Sequence, residues 1–373
     1  MKDAGQSVWL DDLSRDMIRS GHLKKLIDED GISGVTSNPT IFQKAIEGSD
    51  IYDSSILQMV SGGVRDERDI YMALTMEDIS EAADILYPVY DSSGGRDGFV
   101  SIEVSPDLAY YTDATIKEAR SLFYEIGKRN VLVKVPATEK GIRAIEELTF
   151  EGVNVNVTLL FSLGRYRDVA EAYIRGLERR VIAGRPIDGI VSIASFFVSR
   201  VDTLVDGILD GKISAAGSGA EKDRIKSLYG MVGVANCTLA YQMYKEIFEG
   251  ERFKMLRAGG AVEQRLLWGS TGTKNPKYSD VKYVEELVAR NTVNTLPSNT
   301  IDKFEDHGRV RGSIEDNTQE ARLVFKTVSS LGIMMEEVGL KLEQEGVAKF
   351  TQSFYDVLMA LARKRDFFLA KAA

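Results

Sequence analysis

The 373 residues contain only one cysteine and two histidines. The single thiol, Cys237, cannot form a disulfide within the chain, and His22 and His307 are too few for a typical zinc site made by protein ligands. Long apolar runs are also missing. No stretch approaches the ~20 residues that cross a bilayer, and the opening Met-Lys-Asp-Ala-Gly-Gln-Ser carries no apolar signal core or cleavage pattern. Nor is there an excess of positive charge: 47 Lys and Arg against 56 Asp and Glu leave a net charge of −9. That balance opposes nonspecific attraction to nucleic acid or anionic lipid. These absences predict a reducing, cytoplasmic protein without a typical zinc site and without nucleic-acid or membrane partners, whose chemistry uses other side chains. Its oligomeric state is not readable from the sequence.

What is present is a globular composition, 44% hydrophobic and 28% charged, far from the signature of disorder. Short β-branched runs alternate with longer amphipathic stretches, the pattern of a parallel sheet covered by helices. Strands are expected at Ser7–Asp11, Gly34–Ser37, Gly98–Val104, Asn130–Pro136, Val153–Leu159, Gly189–Ser195, Arg265–Ser270 and Thr292–Leu296. Eight is the number that closes a (β/α)8 barrel. Residues 1–373 therefore read as one barrel domain with additional helices. Residues ~312–373 form a helical C-terminal extension, two long helices (Gln319–Glu343 and Gly346–Lys371) packed outside the barrel, with Phe367-Phe368-Leu369 reaching toward a rim. Ser105-Pro106-Asp107-Leu108 and Ser279-Asp280 read as helix starts, and the small residues from Gly211 to Gly219 as a loop between helices.

A strand of a parallel sheet is covered on both faces and should be nearly all aliphatic. Several of these are not. In Val153-Asn154-Val155-Asn156-Val157-Thr158 the polar residues share one face, where unpaired burial costs ~1–3 kcal/mol each, so they require partners or a ligand. Val131-Leu132-Val133-Lys134-Val135-Pro136 places one lysine in an apolar run. Burial favours its neutral amine, a nucleophile, although a structural lysine paired with a carboxylate is an equal reading of that strand alone. Asp11, Thr36, Asn38, Ser101 and Glu103 add a carboxylate, hydroxyl or amide near the carboxyl ends of three further strands, where barrel enzymes assemble their sites. Each has a bland alternative, such as Asn38-Pro39 as a helix cap with Pro at N1, but they coincide on one rim.

Taken in order, Leu10-Asp11, Thr36-Ser37-Asn38-Pro39, Val100-Ser101-Ile102-Glu103-Val104, residues 131–138, residues 152–162, Ser195-Phe196-Phe197-Val198-Ser199-Arg200 and residues 268–274 resemble the transaldolase family, class I aldolase-type transferases of the pentose phosphate pathway. The resemblance implies a cofactor-free transferase. It would pass a dihydroxyacetone unit from a ketose phosphate (sedoheptulose 7-phosphate or fructose 6-phosphate) to an aldose phosphate (glyceraldehyde 3-phosphate or erythrose 4-phosphate). By position, Lys134 would form the Schiff base, Asp11 would act as general acid and base at the C4 hydroxyl, and Glu103, with Thr158, would handle protons through a bound water. Asn38, Asn156 and Ser195 would hold the dihydroxyacetone moiety, with Thr36 and Ser101 beside them. Arg200, Ser270 and Lys274 would bind the phosphate. Gly272 stands where some transaldolases carry an arginine. Lys274 would replace that cation with a point charge in place of a planar fork.

The nearest rival is a fructose-6-phosphate aldolase-like lyase, which shares the lysine. Those relatives carry glutamine at the position of Glu103 and tyrosine at that of Phe197, so both residues here favour transfer. More distant readings are a pyridoxal phosphate enzyme and a noncatalytic phosphosugar-binding barrel. The segment Gly269–Lys274 lacks the spacing of a nucleotide P-loop.

Overall fold

Eight strands pair in chain order and close on themselves: β1 (Gln6–Leu10), β2 (Gly34–Thr36), β3 (Phe99–Glu103), β4 (Val131–Pro136), β5 (Val155–Leu160), β6 (Ser192–Phe197), β7 (Arg265–Gly269) and β8 (Thr292–Leu296). Every pairing is parallel. This is the (β/α)8 barrel expected from the alternation of β-branched and amphipathic segments. The computed structural model describes residues 1–310 and 312–372.

The strand faces divide the core in two. Outward residues such as Val35, Val100, Val133, Val155 and Val157 are fully buried against the surrounding helices, which explains why the runs look so aliphatic. Inward residues fill the barrel itself. Trp9, Phe99, Leu132, Ile193, Leu267 and Val293 form an apolar layer toward the strands' amino ends. Trp9 takes the space in front of Gly34, where a Cβ would lie only 2.5 Å from the indole, so β2 needs glycine there to admit the largest side chain of the layer.

Three local expectations change. β6 begins at Ser192 and extends to Phe197, because the Val191 N–H is taken by the Asn154 side-chain oxygen and the ladder is regular only beyond it. Ser105-Pro106 opens a single 3-10 turn, Pro106–Leu108, with no capping bond from the Ser105 side chain. The helix proper is Thr112–Ile126. Finally, helix Ser199–Ala215 runs through Gly211 and Lys212, since Ile213 packs on an apolar cluster, and the expected loop shrinks to the residues before Gly219.

The C-terminal region departs furthest. Its helices are Thr318–Ser330 and Met335–Ala372, so the break falls earlier than expected. Gly332, at φ 73°, provides the left-handed turn that ends the first helix, whereas Gly346 lies inside the second. That 38-residue C-terminal helix packs on β5 and on helices Pro39–Glu47, Asp53–Ser61, Glu67–Ser92 and Ser199–Ala215, crossing the carboxyl face of the barrel instead of lining its outside. Its contact with β5 has a local cause. Leu159 adopts φ 58°, the register shifts between Val157 and Leu160, and the Leu159 side chain is turned onto Gly346, where a Cβ would meet it at 2.7 Å. Phe367 is exposed, and Phe368 and Leu369 pack on the main core. Phe350, not that aromatic end, reaches the rim.

Candidate active site

Above the apolar layer the same inward positions turn polar. The strand register sets Glu103 opposite Lys134 and Lys134 opposite Asn156, while Thr36 faces Ser101. Neighbouring parallel strands lie ~4.8 Å apart, so these side chains must meet. Lys134 is 5% exposed. Its ammonium donates to the Ser37 carbonyl at 2.6 Å and lies 3.2 Å from Glu103 Oε2.

Glu103 Oε1 accepts from the Thr158 hydroxyl at 3.3 Å. Oε2 is buried and accepts no well-aligned hydrogen bond, which leaves an acceptor for a water or a substrate hydroxyl. Burial raises the Glu103 pKa above the ordinary carboxylate value. Lys134 and the Thr158 hydrogen bond pull it back, and the charge on Asp11 reinforces the rise. Asp11, just past the end of β1, accepts from Thr36 at 2.8 Å. Its pKa is likewise raised by burial, against the attraction of Lys134. Two carboxylates thus flank one amine, each disposed to accept and release a proton. Asp12 turns away and accepts from Ser298.

Behind the amine runs a fixed hydroxyl–amide chain. Ser195 donates to Asn156 Oδ1 at 2.7 Å, and Asn156 Nδ2 donates to Ser101 Oγ at 3.1 Å. Ser101 and Asn156 are both fully buried and neither lines the cavity, so Ser101 orients Asn156, which in turn fixes Ser195. Asn154, one step below on the same face of β5, binds the backbone at Arg129 and Val191 and is structural. The Asn38 side-chain oxygen caps helix Pro39–Glu47 through the Ile41 N–H at 3.1 Å, and the residue also lines the cavity.

That cavity, about 290 Å³, brings together Asp11, Thr36, Asn38, Lys134 and Ser195 on its floor with Arg200, Ser270 and Lys274 at its mouth. Ser270 holds φ 56°, unusual for a residue with a side chain, and its hydroxyl bonds that of Ser199 at 3.0 Å. Gly272 also lines the cavity. Arg200 stacks between Phe197 and Phe350, with its guanidinium carbon 5.5 and 5.7 Å from the ring centres. A larger cavity, about 700 Å³, opens at the opposite face and is lined by Gln6, Ser7, Asp97 and Arg265. It faces the strands' amino ends, away from the end where barrel enzymes place their chemistry. Among the described residues no cluster of three or more His, Cys, Asp or Glu is placed to hold a metal.

A buried lysine thus faces a carboxylate across a strand pair, with a second carboxylate beside it, and the sequence comparisons name the family. The sequence model described as Transaldolase/Fructose-6-phosphate aldolase matches residues 8–361. The chain belongs to that family. Among its relatives are a transaldolase of Trichodesmium erythraeum, 44% identical over 369 residues covering 98% of this chain and 96% of the relative, and transaldolase 2 of a Nostoc species, 46% identical over 98% and 96%. Transaldolase 1 of Streptomyces avermitilis is 47% identical over 97% of this chain and 94% of its own. The family assignment covers the barrel and most of the C-terminal helix.

Sequence reasoning missed several residues of the site. Thr295 lines the cavity and shares a hydrogen bond with Thr36 at 2.9 Å. It lies two positions after the inward Val293, so alternation along β8 could have found it. Ser37 contributes its carbonyl, for which no side-chain pattern exists. Lys44, Lys349 and Phe350 also reach the mouth. Nothing local marks them, because their positions depend on how two helices dock over the rim.

Proposed function

We propose that this protein is a transaldolase, carrying a dihydroxyacetone unit from a ketose phosphate to an aldose phosphate through an imine on Lys134. The observation that carries this reading is the 3.2 Å approach of the buried Lys134 ammonium to Glu103, beside an Asp11 that has no ion-pair partner among the described residues. Glu103, its proton affinity raised, takes the proton that leaves Lys134 free to attack the C2 carbonyl carbon. It then returns a proton, through a water hydrogen-bonded with Thr158, as the carbinolamine oxygen leaves as water. Asp11 accepts the C4 hydroxyl proton while the C3–C4 bond breaks, and the bonding pair moves into the imine to give an enamine. The aldose phosphate departs. Asn38 and Ser195, the latter fixed by Asn156, hold the enamine hydroxyls until an acceptor aldehyde is attacked. Asp11 protonates the new alkoxide, and hydrolysis frees Lys134. Thr36 orients Asp11, Ser101 orients Asn156, and Arg200, Ser270 and Lys274 take the phosphate.

Residues 1–373 act as one unit on this reading, with ~312–373 as its packed extension, in the cytoplasm and within the pentose phosphate pathway. Glu103 and Phe197 favour transfer over aldolase-like release of dihydroxyacetone. Borohydride reduction with fructose 6-phosphate should fix the sugar on the peptide containing Lys134. Sedoheptulose 7-phosphate should form only when erythrose 4-phosphate is supplied. Label on another peptide would move the active site, and acceptor-independent dihydroxyacetone would make the enzyme a lyase. Among the described residues no helix is long and apolar enough to cross a membrane, in keeping with a soluble partner set of sugar phosphates.

A further inference from the structure

The mouth of the cavity is more cationic than the phosphate set read from the strands. Arg200, Lys274 and Lys349 each line both the catalytic cavity and an adjoining groove of about 460 Å³ between helix Ser199–Ala215 and the C-terminal helix. They come from three separate elements. Among the described residues none of the three is within ion-pair distance of a carboxylate, although Glu345 on the C-terminal helix and Asp11 and Glu103 on the floor pull on Arg200 from further away. Like charges held together without counterions repel, and the arrangement is stabilised when an anion arrives. The placement is built rather than incidental. Gly346 lets the C-terminal helix close on Leu159, and a Cβ there would lie 3.6 Å from the Arg200 guanidinium. One turn later Phe350 covers the Arg200 plane, and Lys349 sits beside it. The loop bearing Lys274 is tied to the helix bearing Arg200 by Tyr278 donating to Asp206 at 2.6 Å, and the short helix Lys282–Glu285 that follows it by Tyr283 donating to Asp202 at 2.8 Å.

We propose that Lys349, carried across the rim by the C-terminal helix, is a substrate-binding residue that joins Arg200 and Lys274 in holding the phosphate of the sugar. It adds a third cation to Arg200 and Lys274 at the mouth, where Gly272 supplies none. The C-terminal helix is then a wall of the substrate site, and the proposal rests on the transaldolase reading for the identity of that substrate. Burial lowers the Lys274 pKa, and the charges of Arg200 and Lys349 lower it further, in keeping with three cations lining the same cavity.

The test is Lys349→Met, with Lys349→Arg as the rescue. Lys349 is exposed, so the substitution should leave folding intact, which circular dichroism checks. Losing one hydrogen bond to a charged group should raise KM for fructose 6-phosphate about tenfold or more. Inorganic phosphate, titrated calorimetrically against the protein without substrate, should weaken by a similar factor, and arginine should restore most of both. Unchanged phosphate affinity in Lys349→Met overturns the proposal whatever happens to KM. The phosphate titration needs no turnover, so it still decides the role of Lys349 if borohydride fails to trap sugar on Lys134, the result that would sink the transaldolase reading itself.

Discussion

Two cations are buried on the inward face of this barrel, Arg265 near its base and Lys134 near its top, and they are treated in opposite ways. Arg265 is saturated. It donates to the carbonyls of Arg96 at 2.7 Å and Thr292 at 3.0 Å, to the Ser7 hydroxyl at 2.6 Å and, more weakly, to the Asn291 carbonyl at 3.4 Å, with Asp97 3.9 Å away. Asp97 in turn accepts from the Trp9 indole at 2.6 Å and from Ser7. Lys134 has one carbonyl and one imperfectly aligned carboxylate, and the cavity lies beside it. A buried polar group whose bonds are complete fixes a structure. One whose bonds are incomplete is a site waiting for a ligand. The apolar layer of Trp9, Leu132, Ile193 and Leu267 separates the two, so each can be altered with little effect on the other.

That separation gives the largest expected effects. Lys134→Met should abolish turnover, by at least about 10⁴-fold, because no other amine replaces the covalent nucleophile. The same variant should still melt cooperatively. Arg265→Met should do the reverse. It strands several buried acceptors and Asp97 at once, a loss of about 3–5 kcal/mol, seen as a lowered denaturation midpoint with kcat per folded molecule nearly intact. Melting curves and steady-state rates on both variants check the pair. If Arg265→Met lost activity while keeping its stability, the base and top would not be independent.

Within the upper half, Glu103→Gln sharpens the contrast between a positioning partner and a proton carrier. Glutamine keeps the shape and can still accept from Thr158, but it cannot take a proton. A fall in kcat of about 10²–10³-fold follows from the loss of general acid–base catalysis, with KM little changed. Pre-steady-state trapping with borohydride should show slower imine formation. Equal rates of imine formation in both proteins would leave Glu103 only an ion-pair partner of Lys134.

How much of this the sequence carried depends on the range of the interaction that decides each feature. The eight strands were legible because a parallel strand covered on both faces is locally aliphatic, and the site residues because they violate that rule. Lys134, Asn156 and Glu103 could be picked out one strand at a time, and the family resemblance supplied their roles. The start of β6 was misplaced because a side chain of β5, Asn154, replaces part of its ladder. The course of the C-terminal helix was misread for a similar reason. Gly346 looks like a break in isolation, and only the left-handed Leu159 opposite makes it a contact. Phe350 and Lys349 were lost with it. Periodicity reports which face of a helix is buried, not what buries it.

The smallest effect tests whether the upper half carries a standing cost in stability for its chemistry. Burial raises the Asp11 pKa above its ordinary value of 3.8 despite the attraction of Lys134, so ionising it is harder in the folded than in the unfolded chain. Well below the unfolded value of 3.8 both states are protonated and nothing is lost. As pH rises through the window between the unfolded and folded values, the unfolded state ionises first and stability falls. Above the folded value the full cost persists. Asp11→Asn keeps an acceptor for Thr36 and removes the charge. It should therefore melt slightly higher than the wild type at pH 7, with the two melting profiles converging as pH falls below 3.8, while its turnover collapses. If the asparagine variant melts lower at neutral pH, Asp11 is held in place by Lys134 as firmly as Arg265 is by its carbonyls, and the top of the barrel is as settled as its base.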